Sequence, residues 1–238
     1  RVAVRVRPLL DSEKKDRCAE CIRVISNESQ ITLGNDQNFT FDDVFGTQSQ
    51  QSDIYESCVS NLVDAIFEGF NATVLAYGQT SSGKTYTMGS TSNIRLAEEE
   101  YGIIPRVARH VFDNVQLKES EDNNSTYRVR IQFLEIYGEE IRDLLDPSNI
   151  AKVTIRETPA GGVYVSGARE ELVTSADEML LVLEKGSAGR TTGSTRMNSL
   201  SSRSHAIFTI LLERTIHYPQ NNNGIVNNNN NNNSSNSN

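Results

Sequence analysis

No apolar run in this sequence approaches the roughly 18 residues that a membrane-spanning helix needs, so no span and no membrane partner are expected. Basic excess is also missing. Lys and Arg number 23 against 31 Asp and Glu, a formal net charge of −8. That balance argues against a general nucleic-acid binder. Cysteine is scarce: Cys18, Cys21 and Cys58 are the only three. An odd, low count fits a reducing compartment better than a disulfide framework. Cys18-Ala19-Glu20-Cys21 has C-x-x-C spacing, but a structural zinc site needs a second ligand pair and none is in sight. These read as two ordinary cysteines at a loop-to-strand junction. No internal period repeats. Arg1 stands inside an apparent strand with no initiator methionine, so the chain is expected to be a fragment or to lack its start, and the absence of a signal peptide proves little. Its 238 residues, 37% of them hydrophobic, suffice for an ordinary core in one large or two small domains.

What is present centres on Gly78-Gln79-Thr80-Ser81-Ser82-Gly83-Lys84-Thr85. Gly, four residues, Gly, Lys, Thr is the P-loop pattern. Gly78 and Gly83 permit a turn whose N–H groups face an anion with no Cβ in the way. Lys84 supplies a point charge for the outer phosphates. Thr85 offers a hydroxyl to magnesium. Upstream, Asn71-Ala72-Thr73-Val74-Leu75-Ala76-Tyr77 reads as a buried strand, and Tyr86-Thr87-Met88 continues as a helical turn. Strand, loop and helix N-terminus together favour phosphate over a chance Gly/Ser loop.

Along the chain, Val2–Arg7 reads as a strand ended by Pro8, and Leu9–Cys21 as a loop. Short strands at Ile22–Ile25, Ile31–Leu33 and Phe39–Phe41 predict a small antiparallel lobe. Ile54, Cys58, Leu62, Ala65 and Ile66 recur at helical spacing, with Ser52 or Asp53 as cap and Gly69 as stop. Ser90–Tyr101 reads as an irregular acidic insertion. Pro105 opens a helix carrying Val107, Val111, Phe112 and Val115. A solvated loop at Glu119–Asn124 precedes a strand at Tyr127–Tyr137, followed by a helical turn at Glu139–Leu145 that stops before Pro147. Val153–Arg156 and Val163–Val165 form a hairpin. Ser175 and Glu178 make a capping box for a helix that ends near Gly186 or Gly189. A polar loop runs from Arg190 to Ser204, and His205–Leu212 reads as a buried strand. Twelve of the last twenty residues are Asn, so 219–238 is expected to be disordered and 1–218 to hold the folded part.

Asn198-Ser199-Leu200-Ser201-Ser202-Arg203-Ser204-His205 crowds hydroxyls and an arginine between a helix and a strand. Alone it reads as a surface linker. Beside a P-loop it suits a segment that senses the terminal phosphate and lets go after hydrolysis. These residues, together with Tyr77–Thr85, Arg5-Val6-Arg7-Pro8, Leu134–Tyr137 and Ile141–Leu145, resemble the kinesin motor domain from Arg1 to about Arg214. Asn71–Val74 and Arg203–Thr209 are most similar to the chromokinesin-like branch.

The resemblance implies a P-loop NTPase-type α/β fold, with a central mixed sheet, helices on both faces and the small antiparallel lobe. It implies an ATP-driven microtubule motor, cytoplasmic and cytoskeletal, whose parent chain dimerises through a stalk. Gly78, Gln79, Thr80, Ser81, Ser82, Gly83, Lys84 and Thr85 would cradle ATP, with Thr85 and Ser202 near Mg2+. Ser201 and Ser202 would close on the γ-phosphate, Asn198 would hold that loop, and Arg203 would pair with a switch II glutamate. Arg5, Arg7, Pro8 and Tyr86 would line the adenine. Arg156 would lie on the tubulin face, although Glu139, Glu140 and neutral Thr158–Gly162 give that face little positive charge.

The family continues with an Asp-x-x-Gly switch II motif. None follows His205 here, so these 238 residues alone are expected to lack microtubule-stimulated turnover. Two rivals remain: another P-loop phosphotransferase such as a nucleotide kinase, and a motor-like module that binds nucleotide or microtubules without turnover.

Overall fold

A computed structural model describes residues 1–25, 28–89, 97–148, 153–192 and 204–218, with the side chains of 191 and 192 left aside. The α/β class holds, and the strands among these residues fall into four sheets. Strand β1 (Ala3–Arg5) lies parallel to β5 (Asp43–Phe45), in register Val4 to Val44. Between them in sequence, β2 (Ile22–Ile25), β3 (Gln30–Leu33) and β4 (Gln37–Thr40) form the expected antiparallel lobe. The loop expected at 9–21 contains a short helix, α1 (Asp11–Lys15). Its start is closed by Glu13, whose carboxylate accepts from the Leu10 N–H at 2.7 Å.

The helical stripe after residue 50 is two helices, α2 (Gln51–Cys58) and α3 (Ser60–Phe67), broken at Val59. The cap is Gln50, not Ser52: Asp53 Oδ2 accepts from the Gln50 N–H at 2.8 Å. Gly69, at φ +94, ends the run as read. Helix α4 (Lys84–Met88) follows the phosphate loop, and α5 (Ile103–Glu121) extends through part of the expected loop at 119–124. Among the residues of the α5 stripe, Val111 is fully buried. Across α2, α3 and α5, the Tyr55 hydroxyl and Asp64 carboxylate flank the two nitrogens of His110 at 2.7 and 3.0 Å. Burial pushes the Tyr55 hydroxyl up to about 12.

The core is built on β6 (Ser125–Tyr137). One edge carries β10 (Glu171–Val173) and β7 (Glu140–Asp143); the other carries β11 (Ser204–Ile216) along its full length. Alternation sends Val129, Ile131 and Phe133 of β6 into the interior, each no more than 2% exposed. Helices α5 and α6 (Ala176–Thr192) pack on this sheet and on each other. Two sequence expectations are corrected here. The stretch at 140–143 is a strand, not a helical turn. Gly138, at φ +60, lets the chain reverse, and ladder pairing with β6 overrides local helical spacing. Asp143 then organises the turn, its Oδ1 accepting from the Leu145 N–H and its Oδ2 from the Arg169 N–H. Helix α6 runs past Gly186 and Gly189. A Cβ on Gly186 would sit 2.2 Å from Phe133 Cδ1, so this glycine marks close helix–sheet approach rather than a stop.

Ser175 and Glu178 cap α6 nearly as read: Ser175 Oγ accepts from the Glu178 N–H, while the Glu178 carboxylate accepts from the Thr174 N–H. The hairpin is present as β8 (Thr154–Glu157) and β9 (Val163–Ser166). Two strands read as buried are not. β11 is half-buried or exposed beyond Ser204, because only β6 flanks it among the described residues. Asn71–Tyr77 is in no ladder among the described residues, and Leu75 and Tyr77 are 83% and 95% exposed. An apolar run stays buried only where something covers it.

Candidate nucleotide site

The loop at 78–85 turns on two glycines that do different work. Gly83 sits at φ +98, in the left-handed region, and starts α4. Gly78 sits at φ +154, a backbone conformation that residues with a side chain rarely adopt, and a Cβ there would also lie 2.6 Å from Ser82 Oγ. Ser81 adopts φ +64, and the Ser82 N–H donates to the Gln79 carbonyl at 3.2 Å. Lys84 arches back across the loop, its Nζ donating to the Gly78 and Gln79 carbonyls at 2.7 Å each. Thr85 stands in the first turn of α4, a helix of only five residues that the left-handed Gly89 closes. A Cβ on Gly89 would lie 2.8 Å from Gly102 Cα, so the end of α4 touches the start of α5.

From β1 and its continuation, Arg5 reaches α4 and Arg7 reaches the loop itself, each through its own network. Arg5 Nη1 donates to Gln51 Oε1 at 2.8 Å and to Thr87 Oγ1 at 2.9 Å, and its guanidinium lies 5.0 Å from the centre of the Tyr86 ring. Burial lowers its pKa, partly offset by Tyr86 and Asp53. Arg7 Nε donates to the Ser81 carbonyl at 2.8 Å, and its two terminal nitrogens grip Glu13 at 2.8 and 2.6 Å. That bidentate pair, with the Leu10 N–H, draws the Glu13 carboxyl down to about 2. Pro8 accepts from Arg7 Nη1 through its carbonyl at 2.9 Å. The Tyr86 ring stays more than half exposed. Thus Arg7 is joined to the 78–85 loop through Ser81, and Arg5 to α4 through Thr87 and Tyr86.

Two members of this cluster were not singled out in the sequence. Glu13 has a weak signal, the Leu10-x-x-Glu13 spacing of a helix cap. Gln51 has none, being one glutamine in a polar stretch. The second set, Asn198, Ser201, Ser202 and Arg203, lies outside the described residues. Its C-terminal flank is described. Arg190 in α6 donates through Nε to buried Glu135 at 3.1 Å and through Nη2 to Ser204 Oγ at 2.9 Å, fixing where β11 begins.

Comparison with known proteins fits this geometry. Residues 5–234 match the family model described as the kinesin motor domain. Kinesin-related protein 8 of Dictyostelium discoideum is 50% identical over 217 residues, covering 90% of this chain and 11% of that protein. Human kinesin-like protein KIF21B is 45% identical over 224 residues, 89% of this chain and 14% of the relative. Rice kinesin-like protein KIN-4A is 44% identical over 236 residues, 90% of this chain and 22% of its own length. The chain therefore spans between about a tenth and a quarter of these relatives. A solved structure of a fast kinesin superposes with a TM-score of 0.81 at 36% identity, over 90% of this chain and 59% of that one. With its P-loop turned on Gly78 and Gly83 and matched relatives across nine-tenths of its length, the chain belongs to the kinesin motor-domain family.

Proposed function

We propose that this chain is the ATP-binding part of a microtubule-based motor, holding Mg-ATP on Gly78–Thr85. One observation carries the reading: a loop whose backbone at Gly78, φ +154, suits glycine, with Lys84 Nζ folded onto the loop carbonyls where a phosphate oxygen would compete for it. The donor set fits both groups. Lys84 and the loop N–H groups suit an anion, and the Thr85 hydroxyl is a hard oxygen ligand suited to magnesium. Magnesium, when bound, neutralises charge on the outer phosphates. Thr85 and Ser202 would hold it. Ser201 and Ser202 would close toward the γ-phosphate and orient the attacking water, with Asn198 bracing their loop and Arg203 pairing with a glutamate outside these residues.

On the base side, Tyr86 and Pro8 would face the adenine. Arg5 and Arg7 would support that face from behind, since both guanidiniums are engaged with protein partners. The fast kinesin with a similar fold is described in terms of its ATPase mechanism and interactions with microtubules, which supports microtubules as the partner here. Cytoplasmic, cytoskeletal placement and pairing of the parent protein through a stalk belong to the same reading.

Titration calorimetry of the 238-residue chain with Mg-ATP tests it. Saturable one-site binding is expected, weakened at least about tenfold by Lys84→Ala, the equivalent of one charge-assisted hydrogen bond. Wild-type chain that gives no binding overturns the reading. The rival reading for these residues by themselves is binding without turnover. Steady-state hydrolysis that rises with added microtubules excludes it.

A further inference from the structure

The side chain of Gln51 is buried where β1, α2, α4 and the 98–100 turn meet. Its Nε2 donates to the Tyr86 carbonyl at 2.8 Å and, at 3.5 Å, faces the Glu100 carbonyl. Its Oε1 accepts from Arg5 Nη1 at 2.8 Å. The same Arg5 nitrogen continues to Thr87 Oγ1, and the guanidinium covers the Tyr86 ring. One amide therefore grips α4 twice: directly through main chain, and through Arg5 on both a side-chain hydroxyl and a ring.

Helix α4 needs such a grip. Five residues are too few to be stable by themselves. Carbonyls in the last turn of a helix have no following N–H within it, and Tyr86 is in that turn. The residue before Tyr86 is Thr85 and the one before that is Lys84. Anchoring the Tyr86 carbonyl thus restrains the helical turn that carries Lys84 and Thr85, the two side chains assigned to phosphate and magnesium. A side chain in this place must accept from a cation on one side and donate to a carbonyl on the other. A neutral amide does both; a carboxylate lacks the donor and an aliphatic chain lacks each.

We infer that Gln51 is a positioning residue for nucleotide binding, coupling the base side (Arg5 and Tyr86) to the phosphate side (Lys84 and Thr85) through α4. The inference rests on the nucleotide-binding reading of Gly78–Thr85. Gln51 touches no nucleotide itself; it holds the residues that do.

The test is Mg-ATP affinity by calorimetry, with melting temperature in the absence of nucleotide, for wild type, Gln51→Leu and Gln51→Glu. Gln51→Leu keeps the bulk and removes both bonds. Gln51→Glu keeps the acceptor for Arg5 and turns an oxygen toward the Tyr86 carbonyl. Each is expected to raise the Kd for Mg-ATP about tenfold, the loss of roughly one hydrogen bond's preorganisation. Both variants are also expected to lower the melting temperature, since each leaves the Tyr86 carbonyl without its donor, so the Kd measured well below that temperature is the deciding readout. A lowered melting temperature with wild-type Kd overturns the inference, as does failure of both variants to fold, which makes the role structural alone. Wild-type chain that does not bind Mg-ATP overturns the nucleotide reading together with this one. Wild-type chain that binds, with both variants equal to it, overturns this one alone.

Discussion

Two stretches of this chain carry the same local signal and meet different fates. Strand β6 and the run Asn71–Tyr77 are both apolar, β-prone segments bounded by polar residues. In β6, Ile131 is wholly buried, strands lie on both edges, and two helices pack on the sheet. In Asn71–Tyr77, Leu75 and Tyr77 stand open and no ladder forms among the described residues. The signal specifies what a segment is suited to; the neighbours decide whether it is realised. β11 lies between these extremes, with one edge bonded to β6 and the other free among the described residues.

Substitutions can break or sharpen that contrast. Ile131→Ala should be the most costly, about 2–5 kcal/mol of stability, because it opens a cavity in the packed centre; chemical denaturation reads it. Gly186→Ala should cost about 1–3 kcal/mol despite alanine's better helix propensity, because the new methyl meets the Phe133 ring. A stabilised Gly186→Ala would mean that α6 stands further from β6 than described. Leu75→Ser should change stability by no more than about 0.5 kcal/mol, as expected at an exposed position. If it cost as much as Ile131→Ala, the Asn71–Tyr77 run would be covered in solution and the contrast would fall.

The smallest effect concerns pH. Glu13 has a folded pKa near 2 against an ordinary value of 4.5, so its contribution is full above about 4.5 and fades as pH falls toward 2. Glu13→Gln should remove that contribution where it is full, lowering stability at neutral pH toward its acid value, and so flatten the acid limb of a stability-versus-pH curve in that window while leaving pH 2 little changed.

The legible parts of this chain were those set by local pattern. Alternation located the antiparallel lobe, β6 and the β8–β9 hairpin, and the Ser175–Glu178 spacing located the start of α6. The Gly78–Thr85 loop was legible as a motif because the P-loop pattern has fixed spacing. What misled was tertiary. Glu140–Asp143 has helical spacing, yet its place beside β6 makes it a strand. Gly186 reads as a helix stop until Phe133 is seen against it. Gln51 was silent and Glu13 showed only a cap spacing, because a single polar residue acquires a role only from what folding brings to it. Arg5 and Arg7 were assigned to the adenine by resemblance, and their partners Gln51, Thr87, Ser81 and Glu13 emerge only in three dimensions.

The contact between Gly89 and Gly102 has a practical side. The two glycines meet backbone to backbone, so the twelve intervening positions begin and finish at nearly one point. Extending a connection whose ends are already together adds little entropy, roughly 0.6 kcal/mol for each doubling of length. A fluorescent reporter or affinity tag spliced into this span would sit at the seam of α4 and α5, beside the candidate nucleotide loop.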